Sequence, residues 1–385
     1  MKVLHVIPSL SAVHGGPTRA LALMERALAD QGVSVETATT DDDGPGRRNG
    51  KPLGQPVADD GAVHWYFAKR LEFYKPAPAF AAWIAREAGR YDLLHLHALF
   101  SFTTTVAARA ARRAGIPYVV RPLGTLNDYG MRHRRPALKS LSMKLIEAPL
   151  LRRAAAVHFT SAEEAAQARR LGIAMKEAII PLGVALDFRI RPARPVASVL
   201  YLSRLDPKKN VEGLLDAMAL LKTVMPPLRL VVAGDGAPAY VRGLQAQARS
   251  LGIADRVTWT GHVEDEAKAA AFAAADVFVL PSFSENFGIA AAEALAAGLP
   301  CVLGQGVAIA QEVERAHAGA AVAPTAQGIA DGLRRIIGDD AGLAAMQANA
   351  RRLAGERYSA GAMGAALKRL YEDILNGSDG FSRLR

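Results

Sequence analysis

The stretch ADVFVLPSFSENFGIAAAEALAAG, residues 275–298, decides the fold. Its first six residues alternate and then run apolar, the pattern of a buried parallel strand. Ser282 and Ser284 make a polar turn, and an Ala- and Leu-rich helix is expected from about Phe287. Strand, loop and helix follow one another, and in open α/β sheets ligands sit beyond the carboxyl ends of strands, against helix N-termini. Glu285 lies in the loop and Glu293 in the helix, with seven residues between them. Both can face one crevice at different depths. The amides of Asn286, Phe287 and Gly288 form the free helix end, a cradle for hydroxyls or an anion. A carboxylate accepts two donors at once, which suits sugar hydroxyls. The plainer reading makes Glu285 a helix cap and Glu293 a solvated face residue, and this motif by itself leaves both open.

The rest of the chain narrows the choice. At 385 residues it is expected to hold two domains. Half of its residues are hydrophobic, which fits a globular protein. No apolar run approaches the roughly 20 residues that span a bilayer. MKVLHVIPSL (1–10) has the pattern of a strand, not of a signal peptide. The single cysteine, Cys301, allows no internal disulfide and fits a reducing cytosol. It opens the apolar run PCVL, so a buried structural thiol is expected there. The net charge of +10, from 47 basic and 37 acidic residues, favours polyanionic company: nucleic acid, anionic lipid or a phosphorylated substrate.

In order, KVLHVI (2–7) is a first strand, and Pro17 opens a helix to about Ala29. Gly15 and Gly16 let backbone approach a ligand such as a diphosphate at that helix start, although turns use glycine everywhere. VSVETATT (33–40) is a second strand. Residues 41–61 are expected to form a mobile loop, with Asp41, Asp42 and Asp43 a solvated run and not a metal site. VHWYFA (63–68) and YDLLHLHALF (91–100) are strands, the latter carrying His95 and His97 on one face. A histidine on such a strand is ordinarily a satisfied core residue, but the strand end makes His97 a candidate polar contact. Arg121 ends another strand and suits an anion. The segment 131–155 interleaves Arg132, Arg134, Arg135, Lys139, Lys144, Arg152 and Arg153 with leucines. It has the pattern of a membrane-surface helix or of an ordinary surface helix with its Leu face in the core. Ser161 starts a further helix with Glu164 as its capping-box partner.

Residues 185–197 are Pro- and Arg-rich and mark a linker. The alternation then restarts with SVLYLSRL (198–205), LRLVVAGDG (228–236), VTWTGHV (257–263), the opening stretch, PCVLG (300–304) and a short strand at 319–324, before three closing helical stretches. Two successive runs of strand–helix alternation predict two doubly wound parallel sheets facing one another. Arg204, Lys208 and Lys209 fall at strand and helix ends suited to phosphates, and Gly234 and Gly236 permit a tight turn.

Together these pieces resemble glycosyltransferase family 4, the retaining nucleotide-sugar transferases of the GT-B fold. SENFGIAAAEALAAGLPCV matches the family's E-x7-E motif, supported by Gly15-Gly16, SRLDPKKN (203–210), AGDG (233–236) and TGHV (260–263). The resemblance implies two Rossmann-like α/β domains around a central crevice: residues 1–185, joined by a last helix (about 360–385) that crosses back, and residues 186–359, which bind the nucleotide sugar. It implies that Glu285, with Asn286, Phe287 and Gly288, binds donor-sugar hydroxyls, that Glu293 binds the ribose, and that Arg204 and Lys209 hold the departing diphosphate. Gly16 would approach that diphosphate, and His97 would touch the sugar near the reacting carbon. The chain departs from the family at Leu182, often Asn there, and at GQGVAIAQEV (304–313), where Gly-Gly-Pro-Glu is frequent. RPLG (121–124) is similar to a stretch of members linked to surface-polysaccharide assembly.

The expectation is therefore a cytoplasmic, peripherally membrane-associated hexosyltransferase. It would take a UDP- or GDP-sugar, need no metal ion, and act on a glycan, a lipid-linked one, in lipopolysaccharide, capsule or exopolysaccharide biosynthesis. Arg121, Arg132, Arg134 and Arg135 would meet the acceptor or an anion. The alternatives are an epimerase or phosphorylase on the same fold, or a polyanion-binding protein. Aromatics are only 6% of residues, which argues against stacking on nucleic acid.

Overall fold

A computed structural model describes residues 1–59, 61–126, 136–186, 198–223, 228–338 and 340–377. Arg132, Arg134, Arg135 and most of the expected linker lie outside the described residues. The chain divides into two compact units, Met1–Gly183 with Ala360–Arg385, and Val184–Ser359.

The first unit is built on eight strands: β1 (Lys2–Val6), β2 (Ser34–Thr40), β3 (Pro56–Asp59), β4 (Ala62–Phe67), β5 (Leu93–His97), β6 (Tyr118–Arg121), β7 (Ala156–Phe159) and β8 (Glu177–Ile179). Their order across the sheet is β3-β4-β2-β1-β5-β6-β7-β8. All neighbours run parallel except the β3–β4 pair. β3 lies inside the stretch expected to be a mobile loop. It pairs with β4 as an antiparallel edge, a pairing that its composition does not announce. β5 reads LLHLH and is buried at every position, as a central strand covered on both faces must be. The strand order reverses between β1 and β5.

Local signals place the helices. Ser101 caps the Phe102–Ala114 helix by accepting from Thr104 N, and Gly115 ends it at φ 71°. The Ala360–Leu375 helix packs on the Gly16–Asp30 helix through Gly364, where a Cβ would lie 2.4 Å from the Ala27 carbonyl oxygen. Its Tyr371 reaches the buried sheet face, with its hydroxyl 2.7 Å from His95 Nδ1.

The second unit is a six-stranded parallel sheet of β9 (Ser198–Leu202), β10 (Arg229–Ala233), β11 (Val257–Gly261), β12 (Val277–Leu280), β13 (Cys301–Gly304) and β14 (Gly319–Val322). The order is β11-β10-β9-β12-β13-β14, so the reversal falls between β9 and β12. Such a switch point leaves a crevice beyond the carboxyl ends of two neighbouring strands. Phe278 at the centre of β12 is fully buried against Phe272, and truncating such a ring costs about 3–5 kcal/mol. Cys301 is buried, as expected, and burial pushes its thiol pKa well up. Among the described residues, no helix is long and apolar enough to cross a membrane.

Candidate active site

In the second unit the loops after β9, β12 and β14 are stitched together at the switch point. Asn210 Nδ2 donates to the carbonyls of Pro281 (3.2 Å) and Pro324 (2.9 Å), and Phe283 N donates to Lys208 O (3.0 Å). Asp206 caps the short Pro207–Lys209 turn by accepting from Lys208 N. These bonds carry Lys209 to the far loop, where its ammonium donates to the Glu285 carboxylate. Seventy-six positions separate the two residues in sequence.

The Glu285 backbone is itself clamped. Its N–H donates to Gly306 O (2.8 Å), and its carbonyl accepts from Ala308 N (3.1 Å). This works only because residues 304–306 lie flat against 282–284. A Cβ at Gly304 would sit 2.6 Å from Ser282 O, and one at Gly306 would sit 2.0 Å from Phe283 O. The sequence GQG, which departs from the family's usual residues, keeps the glycines this close approach requires.

The helix begins at Ile289, two residues later than the sequence suggests, with Gly288 as its N-cap at φ 93°. Asn286 is exposed. Phe287 is buried with its ring edge-on to Tyr358 (5.6 Å), so its side chain serves the core. Glu293 lies in the second turn, and its carboxylate is 2.7 Å from Lys268 Nζ. Lys268 was missed by sequence reasoning, since nothing local marks a lysine 25 positions away as its partner.

Arg204 is exposed and makes no ion pair among the described residues. Gly234 (φ 144°) brings the β10 loop against it, because a Cβ there would lie 1.9 Å from Ser203 O. Burial lowers the Lys208 pKa despite the nearby Glu285 charge. The unit thus gathers Arg204, Lys208 and Lys209 at strand ends beside the Glu285 and Asp206 carboxylates. Such a cluster accepts a diphosphate and offers carboxylates to hydroxyls.

In the first unit Gly15 (φ 65°) N-caps the helix that starts at Gly16. The preceding loop is held by a buried carboxylate. Asp42 is fully buried and takes Lys69 (2.5 Å), Lys75 and His14 (2.8 Å). Burial alone would raise its pKa, but hydrogen bonds from Lys69, Lys75 and His14 hold it well below the ordinary range. Ser9 and Ser11 join through Asp42 O and Asp43 Oδ1. The expectation of a solvated aspartate run is therefore corrected: Asp41 and Asp42 face inward because two buried or half-buried lysines and Arg48 neutralise them.

His97 ends β5 beside Arg121 on β6, as expected, but both side chains are buried. His97 Nε2 lies 3.2 Å from His5 Nδ1, and the ring stacks on His95 at 4.4 Å. Burial pulls His5 down to about 4 and His158 to about 3, and carries His95 and His97 well below their ordinary value, so all four are neutral at pH 7. The ring nitrogens of His5, His95 and His97 fall within 4.8 Å of one another, a grouping hidden in the sequence because His5 sits on another strand. Arg121 is sequestered with Nε and Nη1 unpartnered, and burial lowers it to about 10. In this conformation neither His97 nor Arg121 reaches solvent, so the expected direct contacts with sugar and acceptor are not formed surfaces.

Two doubly wound units, with cations and carboxylates at the strand-order reversal of the second, define an α/β architecture whose ligand crevice lies at such a switch point. Family models place the chain further. Residues 189–353 match "Glycosyl transferases group 1" and residues 15–183 match "Glycosyl transferase 4-like domain". The chain belongs to the glycosyltransferases of family 4. Curated relatives include D-inositol 3-phosphate glycosyltransferase of Streptomyces scabiei, 35% identical over 57% of this chain and 54% of that protein. The chain spans about half the length of such relatives. Alpha-monoglucosyldiacylglycerol synthase of Streptococcus pneumoniae is 38% identical over 27% of this chain and 23% of its own. Among solved structures, sucrose-phosphate synthase from Thermosynechococcus elongatus covers 98% of this chain and 100% of its own at TM-score 0.76 and 23% identity. Anabaena HepE in complex with UDP and glucose covers 97% and 100% at TM-score 0.73 and 20% identity. These establish the GT-B fold.

Proposed function

We propose that this protein is a retaining, metal-independent hexosyltransferase that moves a sugar from a UDP- or GDP-sugar to a glycan acceptor. The observation that carries the reading is the junction of Lys209 and Glu285 at the β9–β12 switch point, with Arg204 exposed beside it. In the reaction the bond from the anomeric carbon to the diphosphate oxygen breaks, and the electron pair leaves with the diphosphate. The acceptor hydroxyl bonds to the same face of that carbon, and its proton passes to the leaving phosphate. Arg204 and Lys209 stabilise the negative charge that grows on the diphosphate, as fixed cations in a site do. Glu285 holds the sugar hydroxyls and Glu293 the ribose.

The acceptor in this reading is a lipid-linked glycan of cell-surface polysaccharide assembly, met at the cytoplasmic membrane face. The basic, leucine-bearing segment 136–153 supports that part. So do the names of similar proteins, a glucosyldiacylglycerol synthase and a lipopolysaccharide outer core galactosyltransferase.

A thermal-shift screen of UDP, GDP, ADP and their sugars, without metal, on the wild type and Glu293→Ala tests the donor. A ligand at a hundred times its Kd stabilises the folded state by about 2.7 kcal/mol. One nucleotide family is expected to raise the wild-type midpoint and to lose most of that effect in the variant. No shift with any nucleotide overturns the reading.

A further inference from the structure

We propose that a cleft on the first unit, between the Phe102–Ala114 helix and residues 143–153, holds the phosphate of an anionic phospholipid while Leu138, Leu141 and Leu145 enter the bilayer interface. The inference deepens the membrane-facing part of the proposed function and rests on that reading only for its purpose. The cleft has a volume of about 200 Å³. Arg109, Arg112 and Arg153 line it, over a floor that includes Ile146 and Leu150. All three arginines are exposed, and none pairs with a carboxylate among the described residues. Tyr118 closes its inner end and is fixed there by a 2.8 Å hydrogen bond to Leu150 O.

The surrounding charge is one-sided. Residues 102–114 carry three arginines, and residues 136–153 carry two lysines and two arginines; the sole carboxylate in the two stretches is Glu147. That carboxylate is fully buried, accepts from Phe100 N and Ser142 Oγ, and is raised to about 7 by burial. It therefore offers these cations no surface partner.

Beside this cationic cleft the same segment leaves apolar side chains in water. Met143, Leu150 and Leu151 enter the core, whereas Leu138, Leu141 and Leu145 are 46%, 55% and 68% exposed. Their spacing of three and four residues sets them along one helical side. Sequence reading offered a core-facing or a membrane-facing leucine stripe; the fold divides the leucines between the two. A nucleic acid would neutralise the arginines but leave three leucines wet, and free phosphate would do the same. A bilayer surface covers both, with phosphates at the arginines and acyl chains a few ångströms deeper.

Co-sedimentation with phosphatidylcholine vesicles, with and without about a third phosphatidylglycerol, tests this. Each cation near an anionic surface contributes about fivefold. The triple variant Arg109→Ala/Arg112→Ala/Arg153→Ala is expected to bind anionic vesicles about a hundredfold less. Leu141→Ser/Leu145→Ser is expected to abolish the part of the binding that survives high salt. Both variants should keep the wild-type melting temperature, since the changed side chains are exposed. Equal binding of wild type to neutral and anionic vesicles overturns the proposal, as does unchanged binding of the triple variant. Wild type that binds inorganic phosphate or duplex DNA but no vesicle also overturns it. The nucleotide shift is read separately on the same variants. Its absence alongside vesicle binding counts against the transferase reading alone.

Discussion

The Lys209 ammonium is seated on the Glu285 carboxylate, joining the loop after β9 to the loop after β12. The cation proposed for the diphosphate and the carboxylate proposed for the sugar neutralise each other. The pairing leaves neither half-buried charge uncompensated. Lys209→Met should lower kcat by about 10²–10³ with a smaller change in KM, because the cation acts on charge that develops in the transition state. Steady-state kinetics with the donor found by thermal shift checks this. An unchanged kcat with a lowered melting temperature would mean that the pair is only structural.

Glu293 shares its carboxylate with Lys268 at 2.7 Å. Hydrogen bonds to a charged group are each worth about 1.5–3 kcal/mol. Glu293→Ala should therefore weaken nucleotide binding by about tenfold or more. Lys268→Ala leaves the acceptor oxygens in place and should cost less than Glu293→Ala. Calorimetric titration with the free nucleoside diphosphate separates the two, and equal losses would mean that Lys268 itself contacts the ligand.

Asp42 anchors the loop that leads into Gly15 through His14, and it neutralises Lys69. Removing one partner of a buried ion pair costs about 3–5 kcal/mol. Asp42→Ala should lower the melting temperature by several degrees. The milder Asp42→Asn should recover part of the stability. An unchanged melting temperature in Asp42→Ala would mean that the buried pair adds nothing to folding.

Stability should fall on the acid side. His5, His95, His97 and His158 are held neutral by burial, with folded pKa values below that of the unfolded chain near 6.5. The unfolded state therefore binds more protons between pH 6.5 and about 4, and stability drops as pH falls through that window. His5 alone accounts for about 3 kcal/mol of the drop. Glu147 acts with the opposite sign. Its folded pKa of about 7 lies above the unfolded value, so its contribution is full below pH 4.5 and is lost as pH rises to 7. Melting temperatures from pH 4.5 to 8 should show a net acid loss, four buried imidazoles outweighing one carboxyl. Glu147→Gln should be more stable than wild type above pH 7 and not below pH 4.5. A flat acid limb would overturn the histidine assignment.

Much of this was legible in the sequence. Strand periodicity, Ser161 as a helix cap and the restart of alternation near Ser198 follow from local physics, because apolar spacing and capping chemistry act within a few residues. So does the spacing from Glu285 to Glu293, which marked the site. The glycines at 15, 16 and 234 mark where backbone can turn or approach closely, whereas the close approach at 304 and 306 emerged only from the fold. Tertiary structure decided the rest. Strand order alone brought Lys209 to Glu285 and Lys268 to Glu293, and it buried His97 and Arg121 at the strand ends where contact with a sugar or an anion was expected. It turned Asp42 inward toward lysines 27 and 33 positions away and paired β3 as an edge strand. It also divided one leucine-rich segment between core and water. A sequence states what each side chain can do; which partner it meets depends on crossovers spanning tens of residues, which no local pattern encodes.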